Sequence, residues 1–122
     1  MAVALTMALA AVGRRSWPKR VEVSGESMSP TLQTGDRLLV LPWGKLRTGD
    51  VVALSDPRAA SRTLVKRVVA LGPVGVGVLG DQPQASTDSR TFGLVPRRAV
   101  KGRIVYRYAP ADRIKPWRRG RD

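Results

Sequence analysis

The chain has 122 residues, 22 Lys+Arg against 9 Asp+Glu, a formal net charge of +13, and neither Cys nor His. Without Cys there is no disulfide, no thiolate nucleophile and no zinc site of the Cys or Cys/His type; without His there is no Ser-His-Asp triad and no imidazole base. Acid–base chemistry falls to carboxylates, Lys or Tyr, in one domain long enough to bury a modest core.

In chain order, residues 2–13 come first as an uncharged apolar run ending at Arg14-Arg15. A helix of that length spans ~18 Å against a hydrocarbon core of ~30 Å, so it reads as a short membrane anchor or an interfacial segment. A cleaved signal peptide lacks its usual basic start here. The basic flank Arg14, Arg15, Lys19 and Arg20 follows the run; the positive-inside rule favours a cytoplasmic position for the next domain without fixing its side. From Val21 to Ala109 short Val- and Leu-rich runs alternate with Gly, Pro and Asp. Strands are predicted over Arg20–Val23, Arg37–Leu41, Val51–Ser55, Thr63–Leu71, Val76–Leu79 and Arg103–Tyr108. Gly35-Asp36, Gly49-Asp50 and Gly80-Asp81 suit tight turns, and a short helix is expected only near Pro30–Thr34 or Pro96–Val100. Regular short strands predict a mainly β, barrel-like domain over residues 21–109, between the N-terminal segment 1–20 and a basic, solvated, disordered tail 110–122.

The charge is concentrated at the ends: residues 1–20 carry +4 and residues 112–122 carry +3, leaving +6 for the middle. With one Phe and two Tyr there is little material for stacking bases. The basic flanks fit a membrane surface or solvent better than nucleic acid.

Three segments carry chemistry. Val23-Ser24-Gly25-Glu26-Ser27-Met28-Ser29-Pro30 places a hydroxyl and an adjacent N–H where the backbone turns, which by itself is also what an ordinary turn does. In Leu64-Val65-Lys66-Arg67-Val68-Val69 two adjacent cations sit inside an apolar strand, on opposite faces, so one must face the protein or be paired. A desolvated Lys loses its proton more readily and can then accept one from a serine, unless its stem simply carries it to solvent. The third segment, Gly80 to Gly93, holds Asp81, Ser86, Asp88 and Arg90. It reads either as a loop with a weak surface pair Asp88–Arg90 or as a layer that orients the lysine.

Taken together, Ser-Gly-Glu-Ser-Met-Ser-Pro-Thr-Leu (24–32), Gly49-Asp50-Val51-Val52, Val65-Lys66-Arg67-Val68-Val69 and Gly80-Asp81…Ser86-Thr87-Asp88-Ser89-Arg90…Gly93 resemble, in order, the boxes of the signal peptidase I family of Ser/Lys-dyad serine endopeptidases. The resemblance implies an all-β catalytic fold in which Ser27 is the nucleophile and Lys66 the general base. It also implies that Ser86 orients the lysine, and that Arg67–Asp81 and Asp88–Arg90 are structural ion pairs. Some members place a serine oxyanion donor where this chain has Gly25, so the oxyanion hole here must use backbone N–H groups or Ser24. Gln82 stands where Asn is usual.

The resemblance further implies removal of an N-terminal signal or pro-segment from a precursor, with small residues at the cleavage site and the peptide added as a strand. No cofactor, no metal and no nucleic acid is called for, and a membrane-associated monomer is expected. Lys66 follows Ser27 by only 39 residues. That compactness, with Gly35–Val40 and Gly102–Tyr108, is similar to the nickel-type superoxide dismutase maturation proteases. A general type I signal peptidase, a self-cleaving repressor and a non-catalytic basic binding module are the alternatives, the repressor being disfavoured because only 26 residues precede Ser27. An exported-protein substrate would require the catalytic domain on the other side of the membrane from the one the basic flank favours, so both sides stay open.

Overall fold

The computed structural model describes residues 17–117; the apolar run 2–13 and the Arg14-Arg15 flank, like residues 118–122 of the tail, lie outside the described residues. Seven strands form one antiparallel sheet: β1 (Lys19–Glu22), β2 (Arg37–Leu41), β3 (Val51–Asp56), β4 (Ala59–Leu71), β5 (Val76–Leu79), β6 (Val100–Ala109) and β7 (Lys115–Pro116). The order across the sheet is β1-β2-β6-β3-β4-β5, with β7 added to β6. One helical turn, α1 (Ser89–Phe92), and three 3-10 turns complete the described elements.

The burial pattern follows from the sequence period. In β2, Leu38 and Val40 point inward while their neighbours are more exposed. In β3 the continuous run Val51-Val52-Ala53-Leu54 is buried on both faces, as unbroken apolar strands are. Val51 and Ala53 join one core cluster with Met28, Leu32, Leu38 and Ile104. Val52 and Leu54 join a second with Val68, Val76, Val78 and Val95. The strand that carries Lys66 is thus packed beside the most buried strand, β3, in register Val52↔Lys66.

The mainly β expectation holds, with one correction: the sheet is open, not a closed barrel. β1 and β5 end the strand path. β5 pairs β4 only over Arg67–Leu71, so among the described residues no strand lies on the second edge of residues 59–66 of β4. Three strands also run longer than predicted, β3 by the single residue Asp56. β4 begins at Ala59 because the Asp56 carboxylate accepts the Arg58 N–H (2.9 Å) and closes a hairpin that draws weak β-formers into register. β6 begins at Val100, after the 3-10 turn Arg97–Ala99 that falls within the predicted Pro96–Val100 helix. The segment 30–34 forms turns.

Residues 110–117 are not a solvated tail. A 3-10 turn (Ala111–Arg113) leads into β7, and Trp117 is buried in the first core cluster, its backbone N–H donating to the Val105 carbonyl (2.9 Å). The composition is Arg- and Pro-rich, but a buried indole and a carboxylate partner for Arg113 outweigh it.

Candidate active site

The loop between β1 and β2 presents Ser27. Met28 and Leu32 on either side of its turn are fully buried, and the Leu32 N–H donates to the Met28 carbonyl (2.9 Å). Two apolar anchors thus fix the turn and leave Ser27 half-exposed. Gly25 has φ +87° with open space where a Cβ would lie, so backbone conformation, not room, asks for glycine there. The Ser27 carbonyl accepts the Gln82 N–H (2.7 Å), joining the loop to the segment after β5. The N–H of Ser27 donates to no protein acceptor among the described residues.

Lys66 is 3% exposed. Its Nζ donates to Ser86 Oγ (3.0 Å), which in turn donates to Asp88 Oδ2 (2.6 Å). Burial pushes the lysine below its ordinary range; Asp88 draws it back up, and Arg58 and Arg90 add to the lowering. The sequence alternatives are therefore resolved: Lys66 is the cation that faces the protein, and Arg67 is the one that is paired. Arg67 forks onto Asp81 through Nε and Nη2, both at 2.9 Å. Asp81 also accepts Thr31 Oγ1 (2.8 Å), so that ion pair ties the serine loop to the lysine strand.

Asp88 is fully buried, which overturns the reading of Asp88–Arg90 as a surface pair. It caps α1 by accepting the Arg90 N–H (3.1 Å), accepts the Gly80 N–H (2.9 Å) and the Ser86 hydroxyl, and is forked by the Arg90 guanidinium. Those donors, Arg90 first, outweigh burial and hold its carboxyl far below the usual carboxylate range. Gly80 is demanded by closeness: a Cβ there would strike Ser86 Oγ and come within 2.6 Å of Ser86 Cβ and 2.7 Å of the Ser27 carbonyl oxygen.

Ser27 and Lys66 line the same cleft without a hydrogen bond between them. A cavity of about 280 Å³ lies on one side, walled by Glu22–Ser24 and Arg62–Val65, and a smaller one of about 130 Å³ on the other, reaching Arg58, Ala85 and Thr87. Ser24 and Gly25 both border the smaller cavity, and Ser24 borders the larger as well. The sequence reading missed the hairpin residues Arg58 and Arg62. Arg58 is fixed by a two-point pair with buried Asp56 (3.0 and 2.9 Å) and lies over Phe92. An Asp two residues before an Arg across a proline is a turn signal that could have marked it.

The family described as signal peptidase, peptidase S26, matches residues 1–78 and 75–109. The chain is 36% identical to the mitochondrial ATP-independent inner membrane protease subunit 1a of Arabidopsis thaliana, over 74% of this chain and 70% of that protein. It is 30% identical to the mitochondrial inner membrane protease subunit 1 of Homo sapiens, over 74% and 69% respectively. It is 27% identical to signal peptidase I of Leptolyngbya laminosa, over 75% and 69%. None of these three relatives is named as a nickel superoxide dismutase maturation protease.

Proposed function

The chain belongs to the signal peptidase, peptidase S26, family, and from that premise we propose that it is a serine endopeptidase that removes an N-terminal signal or pro-segment from a precursor with a Ser27–Lys66 dyad. The observation that carries the proposal is the burial of Lys66 within a strand, with Ser86 as its hydrogen-bond partner, in the cleft that Ser27 also lines. Desolvation disfavours the ammonium, and a neutral amine can take the Ser27 proton.

Ser27 Oγ attacks the scissile carbonyl as its proton passes to Lys66 Nζ. The Ser27 N–H, which has no acceptor among the described residues, and the Ser24 hydroxyl supply donors to the oxyanion. Lys66 then gives the proton to the leaving amine and activates the water that hydrolyses the acyl-enzyme. Ser86, held by Asp88, aims the amine; Arg67–Asp81 and Asp88–Arg90 hold the surrounding backbone. The larger cavity lies between the end of β1 and the stretch of β4 that pairs with β3 on one edge only among the described residues. An extended substrate strand laid there gains main-chain hydrogen bonds and fills the opening of the sheet, which accounts for its not being closed.

Membrane association is supported by the names of the relatives, which are inner membrane proteases. Among the described residues no helix is long and apolar enough to cross a membrane. The narrower role in nickel superoxide dismutase maturation rests on compactness and local motifs alone, and a general signal peptidase role shares the same dyad. Wild type and Ser27→Ala are to be tested side by side on a dismutase precursor and on a secreted preprotein. Cleavage of one precursor by wild type only is the expected result and selects the substrate; cleavage by Ser27→Ala would remove the proposal.

A further inference from the structure

Asp36, at the foot of β2, is buried and receives an unusual set of donors for a residue that the sequence marks only as part of a Gly-Asp turn. Arg113 forks onto it through Nε and Nη2, both at 3.0 Å. The Gln33 N–H donates to it at 2.9 Å, and Arg107 Nη1 lies 3.5 Å away. Arg107 is itself buried; its Nε donates to the Arg113 carbonyl and its Nη1 to the Thr31 carbonyl (3.2 Å). Trp117 lies beneath both Arg107 and Lys115, at 5.7 and 5.6 Å, within the same core cluster as Met28 and Leu32. Asp36 also accepts the Val23 N–H through its backbone carbonyl (2.8 Å), and Val23 accepts the Gly35 N–H (2.9 Å). Both ends of the Ser27 loop therefore close on this base.

Thr31 is where this network meets that of the lysine strand. Its carbonyl is held by Arg107, and its hydroxyl by Asp81, which Arg67 grips from β4 beside Lys66. We infer that residues 110–117 form a strap that positions the Ser27 loop, with Arg113 acting through Asp36 and Arg107, and that Thr31 is the junction at which this support and the Asp81–Arg67 support set the loop against Lys66. The inference rests on the proposed role of Ser27. It assigns Arg113, Arg107, Asp36 and Thr31 as positioning residues; none of them borders the cavities that Ser27 lines. A nucleophile that makes no hydrogen bond to its base in the free protein depends on its loop for the approach, and small misplacements of reacting groups are expensive in rate.

The test uses the full chain and a peptide spanning the cleavage sequence, with kcat and KM measured well below each variant's melting temperature. Arg113→Ala and Thr31→Val are each expected to lower kcat about tenfold with KM changed less than twofold. Arg113→Lys keeps the charge but not the fork and recovers part of the loss; it also carries the Arg113 arm if Arg113→Ala does not fold. Because both supports act on one loop, the double variant Thr31→Val/Arg113→Lys is expected to lose much less than the product of the two single losses. Unchanged kcat in Thr31→Val and Arg113→Lys overturns the inference, as does a rise in KM alone or a double loss equal to the product. Ser27→Ala in the same assay separates the two claims. Residual cleavage by it removes the nucleophile reading itself, whereas an inactive Ser27→Ala beside unimpaired Thr31→Val and Arg113→Lys removes only the strap.

Discussion

Replacing Ser86 with alanine deletes the oxygen between Lys66 Nζ (3.0 Å) and Asp88 Oδ2 (2.6 Å). Lys66 loses the Ser86 Oγ acceptor of its hydrogen bond, while Asp88 keeps the Gly80 N–H, the Arg90 N–H and the Arg90 fork. A hydrogen bond involving an ionised partner contributes about 1.5–3 kcal/mol. If that energy orients the amine at the moment of proton transfer, kcat falls about ten- to hundredfold, since each ~1.4 kcal/mol is tenfold in rate. Asp88 is left with one donor fewer but is not stranded, so stability falls by only ~1 kcal/mol, or about 4–6 °C in melting temperature for a domain of this size. The assay is kcat across a pH series with a peptide substrate. An orienting role lowers the plateau at high pH, where the amine is neutral anyway. A role confined to protonation moves the midpoint and leaves the plateau in place. A plateau within twofold of wild type would show that Ser86 does not orient the amine.

Further outcomes follow from the same geometry. Activity of the wild type should rise with pH along a limb whose midpoint lies below the ordinary lysine range, because burial disfavours the Lys66 ammonium; a limb at the ordinary lysine value contradicts this. The same lowering means the unfolded chain binds the extra proton between the folded and unfolded lysine values, so the contribution to stability falls as pH drops through that window. Lys66→Met should therefore melt at a higher temperature than wild type near neutral pH, with the gain shrinking toward alkaline pH, as followed by circular dichroism. Asp88 has the same sign of pH dependence in a more acidic window, but at neutral pH it stabilises the fold where Lys66 penalises it. Its lowered carboxyl contributes stability above the normal carboxylate range that is lost as pH falls below about 4, and Asp88→Asn should flatten that acid limb while lowering the melting temperature at neutral pH. Gly80→Ala forces Ser86 and the Ser27 carbonyl to move, and should cost well over tenfold in kcat; near-wild-type turnover would show that the contact is not felt.

The strands were legible where the sequence alternates or runs apolar between Gly, Pro and Asp. β2 and β5 fall on their predicted bounds, because Arg37–Leu41 and Val76–Leu79 are bracketed by turn residues. β4 was cut short because Ala59-Ala60-Ser61-Arg62 has no strand propensity of its own and is drawn in by the Asp56 turn. The pairing of Lys66 with Ser86 and of Arg67 with Asp81 was implied by the resemblance to the signal peptidase I family, not by the local sequence. The burial of Asp88 was implied by neither, since it arises from α1 folding back over Gly80. The largest miss was at residues 110–117. Charge and proline content describe a solvated tail, and only tertiary contacts from Arg107, Asp36 and the core beneath Trp117 reveal the strap. A partner 77 residues away leaves no local signal.

The most direct measurement is cleavage of a precursor by wild type and Lys66→Met side by side, since methionine fills much of the same space without an ionisable amine. Lys66→Met is expected to fold, to melt no lower than wild type near neutral pH, and to yield no product at any pH tested. Product formed by the folded variant at a rate comparable to wild type would show that the proton from Ser27 goes elsewhere, and the Ser27–Lys66 mechanism would be wrong.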